Sequence, residues 1–375
     1  MTFTGMQLRT LIRDDNTLEL SLTKVDMPRP GSDEVLVRVE ATPINPSDLA
    51  LLLGPADIST ARLSGTPEQP VVTADIPAKS MRMVAARLGQ SLPVGNEGAG
   101  VVVAAGSSAA AQALMGKTVG MAGGEMYAQY RCVNALMCME IPQGTTAAQG
   151  ASCFVNPMTA LAMVATMRAE GHTALVHTAA ASNLGQMLNR ICIEDGIDLV
   201  NIVRRPEQVE ILQDLGAIYV CNSTADTFFE DLTSALTKTG ATLAFDATGG
   251  GKLASHILTC MEAVAVQSMT GYNRYGSDVY KQVYVYGMLD TGPTILSRTF
   301  GFCWGLSAWL LPLFLQKAGT QKVIEMRARV AAGLKTTFAS HYTREISLAE
   351  TLSLQAIAAY SKRATGEKFL IRPQL

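Results

Sequence analysis

Between residues 174 and 246, short apolar runs alternate with amphipathic stretches, and this alternation restricts the fold more than any other feature. Ala174-Leu175-Val176-His177 reads as a strand and Leu184 to Ile193 as a helix. Asp198 to Val203 reads as a second strand, and Glu207 to Leu215 as a second helix stopped by Gly216. Ala217 to Val220 makes a third strand and Leu243 to Asp246 a later one. Strands separated by helices of about 10–15 residues form βαβ units, and such units build a parallel sheet.

The first 150 residues follow a different rule. Glu34-Val35-Leu36-Val37-Arg38-Val39-Glu40 alternates polar and apolar side chains, as a half-buried strand does. Gly100 to Gly106 and Gly116 to Met121 are short apolar runs bounded by glycine. Turn signals such as Pro28-Arg29-Pro30-Gly31 and Pro142-Gln143-Gly144 separate these pieces. Several short strands of this kind predict a small barrel. Residues 55–92 contain prolines at 55, 67, 70 and 77 and one short helical piece, Met81 to Leu88. They read as a long surface excursion, and loops of that length are functional or mobile.

A chain of 375 residues is long enough for two domains. Hydrophobic residues make up 48% and charged residues 17%, a balance that excludes general disorder. Lys plus Arg number 30 and Asp plus Glu 32, so the net charge of −2 offers no overall attraction to nucleic acid or to an anionic membrane. The seven cysteines are scattered, odd in number and without a CxxC pair. Reduced thiols and a cytoplasmic location are expected. The amino terminus, MTFTGMQLRTLIRDD, shows no apolar signal core. The uncharged segment 299–316, TFGFCWGLSAWLLPLFLQ, is short for the ~20 apolar residues of a span and carries Pro312, so it reads as a buried or interface segment.

The turn after the first central strand reads Thr178-Ala179-Ala180-Ala181-Ser182-Asn183-Leu184-Gly185. A dinucleotide-binding turn needs small residues here, because backbone must approach a pyrophosphate and amides at the helix start must face its charge. Gly185 is the one glycine kept from the usual GxGxxG pattern, so the motif by itself also fits an ordinary tight βα turn. Arg204-Arg205 follow the second strand. An NAD-binding site would place an acid about 20 residues beyond the glycines, to hold the ribose hydroxyls. Two guanidiniums suit a 2′-phosphate instead, which points to NADPH; a solvated surface pair is the other reading.

Several segments in order resemble the medium-chain dehydrogenase/reductase superfamily, in its zinc-independent quinone oxidoreductase and enoyl reductase branch. They are Ile44-Asn45-Pro46-Ser47-Asp48, Gly95-Asn96-Glu97-Gly98-Ala99-Gly100-Val101-Val102, Gly123 to Tyr130, and Asn156-Pro157-Met158-Thr159-Ala160. Leu215-Gly216-Ala217, Phe245-Asp246-Ala247-Thr248-Gly249-Gly250 and Gly366 to Pro373 complete the series. The resemblance implies an α/β chain: a GroES-like β-rich barrel domain from 1–155 and 335–375, plus a Rossmann-type doubly wound parallel sheet domain from 156–334. It also implies an active site in the cleft and a homodimer.

The zinc members of the superfamily use Cys, His and Glu or Asp ligands. Here the first-ligand position falls at Asn45 or its neighbours, the first cysteine is Cys132, and the first histidine is His172. No metal is therefore expected. The enoyl-thioester reductases of the branch use a tyrosine ahead of the GNEG segment, and this chain has none before Tyr127. Hydride transfer to a quinone or an α,β-unsaturated carbonyl needs only donors near the oxygen on which charge develops. That is the expected reaction. An enoyl-thioester reductase and a low-turnover NADPH-binding sensor or scaffold are the alternatives.

The expected cofactor contacts are Asn45, Thr159, Ala181, Ser182, Asn183, Leu184, Arg204, Arg205, Asn222 and Thr248. Asn45 is either a contact to the nicotinamide ribose or substrate or a turn former before Pro46. Thr159 either bonds the nicotinamide side or caps and packs its helix. Tyr272 and Tyr275 are candidates for a proton donor or stacking wall, with an interface role as the competing reading. The 299–315 run, with Trp304 and Trp309, lines either the substrate cleft or a dimer seam.

Overall fold

A computed structural model describes residues 3–362 and 366–375. The chain divides into two compact units, Met1–Val155 with Arg327–Leu375, and Asn156–Met326.

The first unit is a GroES-like β-rich barrel built from two sheets. Strands β1 (Thr4–Ile12) and β2 (Thr17–Asp26) form a long antiparallel pair, with Leu8 opposite Leu22. β3 (Glu34–Pro43) is the hub of the other sheet. It pairs with β7 (Glu97–Ala105), β9 (Tyr130–Asn134) and the carboxyl-terminal strand Phe369–Ile371. The alternation of this segment is the cause, since Val35, Val37 and Val39 are fully buried. Leu8, Leu18, Leu20, Leu52, Tyr127, Leu352, Ile357, Phe369 and Ile371 share one core, so the far end of the chain is sealed into the barrel by apolar burial.

Residues 55–92 are not the surface excursion that their prolines suggest. β4 (Asp57–Gly65) and β5 (Pro70–Asp75) form a hairpin, and β5 pairs with β2 from Thr17↔Asp75 to Ser21↔Val71. The five-stranded sheet runs β4-β5-β2-β1-β6, where β6 is Leu92–Pro93. Pro70 is tolerated because it opens its strand. β4 is an edge strand with mostly exposed side chains, so no apolar alternation marked it. The helical piece survives only as Met81–Val84 between two 3-10 turns. β8 (Thr118–Ala122) and β10 (Cys138–Glu140) complete the second sheet on the β7 side.

The second unit holds a six-stranded sheet of β11 (Leu175–Thr178), β12 (Leu199–Val203), β13 (Tyr219–Asn222), β14 (Leu243–Asp246), β16 (Lys281–Val285) and β18 (Trp304–Ala308). The order is β13-β12-β11-β14-β16-β18 and every pairing is parallel. That is the doubly wound Rossmann-type order, reversing direction beside β11. β15 (Gly249–Gly251) and β17 (Asp290–Thr294) make a separate short parallel pair. Val176, Val200, Ala244 and Val283 face the helices Phe228–Thr239 and Leu253–Gln267. On the opposite face Phe245 meets Trp309, whose indole N–H donates to Thr166 of the helix Val155–Ala169. Both faces are therefore covered, as an all-parallel sheet requires.

The apolar run at 299–316 contains the edge strand β18 and the start of the next helix. Phe300 and Trp309 are buried, while Phe302, Leu310 and Leu313 are exposed. Among the described residues, one helical stretch, Ala147–Ala169, is long and apolar enough to cross a membrane, and 83% of its apolar window is buried within the protein.

At the amino end of β16 the fully buried Lys281 ammonium donates to Glu262 Oε2 at 2.5 Å, to Ser277 Oγ at 3.0 Å and to the Val279 carbonyl at 2.8 Å. Glu262 also accepts from the Ser277 amide at 2.8 Å. Glycines 276 and 301 make room, since a Cβ on either would meet the Glu262 carboxylate. Lys281→Met removes one half of a buried ion pair and is expected to cost about 3–5 kcal/mol, read as a lower urea midpoint at unchanged slope.

Candidate active site

The parallel sheet directs the loops after β11, β12, β13, β14 and β16 to one edge, where ligands of such sheets bind. The turn after β11 is built from small residues for a geometric reason. A Cβ on Gly185 would lie 2.1 Å from the Ala180 carbonyl oxygen, so only glycine lets the helix Asn183–Asp195 start this close to the turn. Ala179 adopts φ of 50°, the left-handed conformation that glycine takes more cheaply. Ala180 and Ala181 are buried. Ser182 caps the helix, accepting from the Gly185 amide at 3.2 Å. Leu184 packs at the first turn, next to Asn183 at the helix start. The amides of this turn present a partial positive charge.

Beyond the turn, Thr178 donates to Asp246 Oδ1 at 2.7 Å and accepts from the Ala247 amide at 2.8 Å. Asp246 is fully buried and also accepts from the amides of Thr248 and Gly249 at 2.8 and 3.1 Å. This network fixes Thr248 at the carboxyl edge. Arg204 and Arg205 follow β12 directly with exposed side chains. The Arg204 amide donates to Gln208 Oε1 at 3.1 Å, and Arg205 precedes the helix Pro206–Asp214. Asn222 ends β13, where its Oδ1 accepts from the Thr224 hydroxyl at 2.9 Å; that hydroxyl also lies 3.3 Å from the Arg204 carbonyl. The second unit thus gathers Ala181, Ser182, Asn183, Leu184, Arg204, Arg205, Asn222 and Thr248 at one edge of its sheet. Thr159 is buried near the start of the helix Val155–Ala169.

Tyr272 and Tyr275 do not join them. Both precede β16, so they lie at the amino end of the sheet, and Tyr272 is 94% exposed. The tyrosine at the carboxyl edge is Tyr286, which follows β16. Its hydroxyl is 2.7 Å from His177 Nε2. Sequence reading missed it because β16 begins with Lys281 and Gln282, both buried, and so lacks an apolar run. Gly287, one residue on, was the available signal. A Cβ there would lie 2.5 Å from the Ala247 carbonyl, a close approach of two loops at a sheet end.

Burial lowers the His177 imidazole to about 3 from its ordinary 6.5. The folded ring stays neutral while the unfolded ring gains a proton below pH 6.5, so this contribution is complete above that value and is lost as pH falls towards 3. Between pH 7 and 5 the wild-type chain is expected to lose about 2 kcal/mol relative to His177→Asn, measured by denaturant titration at both pH values.

In the first unit Asn45 is buried at the centre of a polar cluster. Its Nδ2 donates to Glu97 Oε1 at 2.7 Å, and its amide donates to Asp48 Oδ2 at 2.7 Å. Glu97 Oε2 accepts from the amides of Phe154 and Val155 at 2.8 and 2.9 Å. Burial raises Asp48 to about 7 despite the amides of Asn45 and Asn96. Burial lowers the Lys368 ammonium to about 8 against the attraction of Glu97 and Asp48, and it donates to Ser152 Oγ at 2.9 Å. Asn45 Oδ1 is buried without a hydrogen-bond partner. Among the described residues, no three His, Cys, Asp or Glu side chains group as metal ligands.

No family model matches the chain. A mitochondrial enoyl-[acyl-carrier-protein] reductase of Xenopus tropicalis is 28% identical over 209 residues, 54% of this chain and 51% of that protein. The chain thus spans about half the length of the curated relative it matches. A solved structure from Mesorhizobium loti, described as an NADPH:quinone reductase, is 25% identical at a TM-score of 0.74, with 100% of both chains covered. Escherichia coli quinone oxidoreductase, solved with NADPH, has the same fold at 16% identity and a TM-score of 0.69, covering 99% of this chain and 100% of that one. The chain thus has the fold of these quinone reductases and resembles the medium-chain dehydrogenase/reductase superfamily in fold and in part of its sequence.

Proposed function

We propose that the chain is an NADPH-dependent reductase that delivers hydride to a quinone or an α,β-unsaturated carbonyl without a metal. The observation that carries this reading is the Arg204-Arg205 pair following β12, at the edge where Gly185 brings backbone close to the proposed ligand position. The residues fit a 2′-phosphorylated dinucleotide: a cradle that a Cβ would fill, a capped helix start, and two guanidiniums where an acid would hold ribose hydroxyls.

Bound NADPH would supply the hydride. Arg204 and Arg205 would hold the 2′-phosphate through charge-assisted hydrogen bonds. The helix Asn183–Asp195 would face the pyrophosphate with its first-turn amides and the positive end of its dipole. Thr248, fixed through Asp246, would meet the nicotinamide ribose, and Asn222 the adenine side. Asn45 Oδ1, buried and unpaired, offers an acceptor to a ligand hydroxyl. The donor set around Asn45 supports a metal-independent reaction. Its amide nitrogen is spent on Glu97, and each carboxylate already accepts from backbone amides.

NADPH oxidation measured with a quinone, a small enone and an enoyl-CoA tests the reading. Turnover with the first two is expected. Tight NADPH binding with no turnover of any acceptor contradicts it. Turnover of enoyl-CoA alone favours the second reading, an enoyl-thioester reductase, for which the Xenopus relative is the supporting observation.

A further inference from the structure

The carboxyl edge of the second unit carries a polar pair with no role so far. The Tyr286 hydroxyl and His177 Nε2 are 2.7 Å apart, and the rings stack with centroids 5.8 Å apart and planes 20° apart. His177 is fully buried, and its Nδ1 has no hydrogen-bond partner. Burial keeps the imidazole neutral, so it carries one proton on one of two nitrogens.

Each tautomer has a different consequence. If Tyr286 donates to Nε2, the ring proton sits on Nδ1, and an N–H donor is buried with no acceptor. If Nε2–H donates to the tyrosine oxygen, the orphan at Nδ1 is only a lone pair, and the Tyr286 proton is left for another acceptor. Orphaned buried N–H groups are rarer than underused acceptors. The second arrangement is therefore the stable one.

The loops fix the backbone of Tyr286, and His177 Nε2 is the partner of its hydroxyl. The Tyr286 amide donates to the Asp246 carbonyl at 3.0 Å, Leu289 to Ala247 at 3.1 Å and Asp290 to Thr248 at 2.9 Å. Tyr286 is thus tied beside Asp246–Thr248, at the edge that carries the Gly185 turn. Ligands of doubly wound sheets bind outside the carboxyl ends of the strands.

We infer that Tyr286 donates a hydrogen bond to a carbonyl oxygen of a ligand held at this edge, and that His177 is a positioning residue that leaves the hydroxyl proton free for it. The inference rests on the reductase reading, which supplies two such oxygens: the carboxamide of the nicotinamide and the carbonyl of the acceptor. No proton leaves the tyrosine. For an acceptor carbonyl, the bond strengthens as negative charge develops on oxygen.

Nitrogen-15 NMR of the histidine rings in the full wild-type chain reads the tautomer without any ligand. A protonated Nε2 on His177 is expected, and a protonated Nδ1 overturns the inference. Tyr286→Phe then separates the two sources. Roughly tenfold weaker NADPH binding with unchanged binding of 2′-phospho-ADP-ribose identifies the carboxamide. Unchanged NADPH binding with kcat for a quinone down roughly tenfold and KM little changed identifies the acceptor carbonyl. A folded Tyr286→Phe chain with neither change overturns the inference. A wild-type chain that binds no NADPH overturns the reductase reading instead, while the ring tautomer still decides where the tyrosine proton points.

Discussion

Gly185→Val is expected to abolish the proposed NADPH binding and to destabilise the second unit by about 3 kcal/mol or more, because it forces side-chain atoms into packed backbone. The first added carbon would lie 2.1 Å from the Ala180 carbonyl oxygen and 2.8 Å from the Ala180 Cα. Both are backbone atoms, so no rotamer change relieves the contact. The turn must open, and the helix Asn183–Asp195 must withdraw from the edge it defines. Gly196→Ala is the matched control. Gly196 caps the same helix at φ of 64°, and a methyl group added there would meet no atom within 4 Å. Alanine at this position therefore costs only about 1 kcal/mol of left-handed strain. Thermal unfolding and NADPH fluorescence titration of both variants check this. Equal NADPH affinity in Gly185→Val and Gly196→Ala would refute the close-approach account.

The second large effect concerns specificity. Arg204→Ala/Arg205→Ala is expected to weaken NADPH binding about a hundredfold or more, since hydrogen bonds to charged groups contribute about 1.5–3 kcal/mol each. NADH affinity should change by less than about threefold, because it lacks the phosphate the pair would hold. Both side chains are exposed, so the double variant should retain wild-type stability. Parallel losses for NADPH and NADH would mean that the arginines act on the fold or on the pyrophosphate.

The centre of the parallel sheet was legible because β11, β12 and β14 are fully buried. Leu199 to Val203 has no exposed residue, so an apolar run between two helical patterns was enough to find it. The turn at 178–185 was legible only in part. Ala179 takes the left-handed position and Gly185 the close approach, so one glycine does what the usual pattern spreads over three. Two elements were hidden for opposite reasons. β4 is too exposed to show a pattern, and its hairpin partner β5 is disguised by Pro70 at its start and Pro77 two residues beyond its end. β16 is fully buried at its start, but by a lysine ion-paired with Glu262 and by a glutamine. With β16 unread, Tyr286 was not weighed beside Tyr272 and Tyr275, which precede that strand while Tyr286 follows it. The cluster at Asn45 was visible only as separate motifs. Glu97 meets Asn45 across 52 positions of sequence, which no local periodicity reports.

The most direct measurement is kcat/KM of the wild-type chain for NADPH and for NADH with one quinone acceptor at pH 7. The account predicts steady NADPH oxidation and a preference over NADH of about a hundredfold, the ratio expected from charge-assisted contacts to one phosphate. Equal use of the two cofactors, or oxidation of neither, would contradict it.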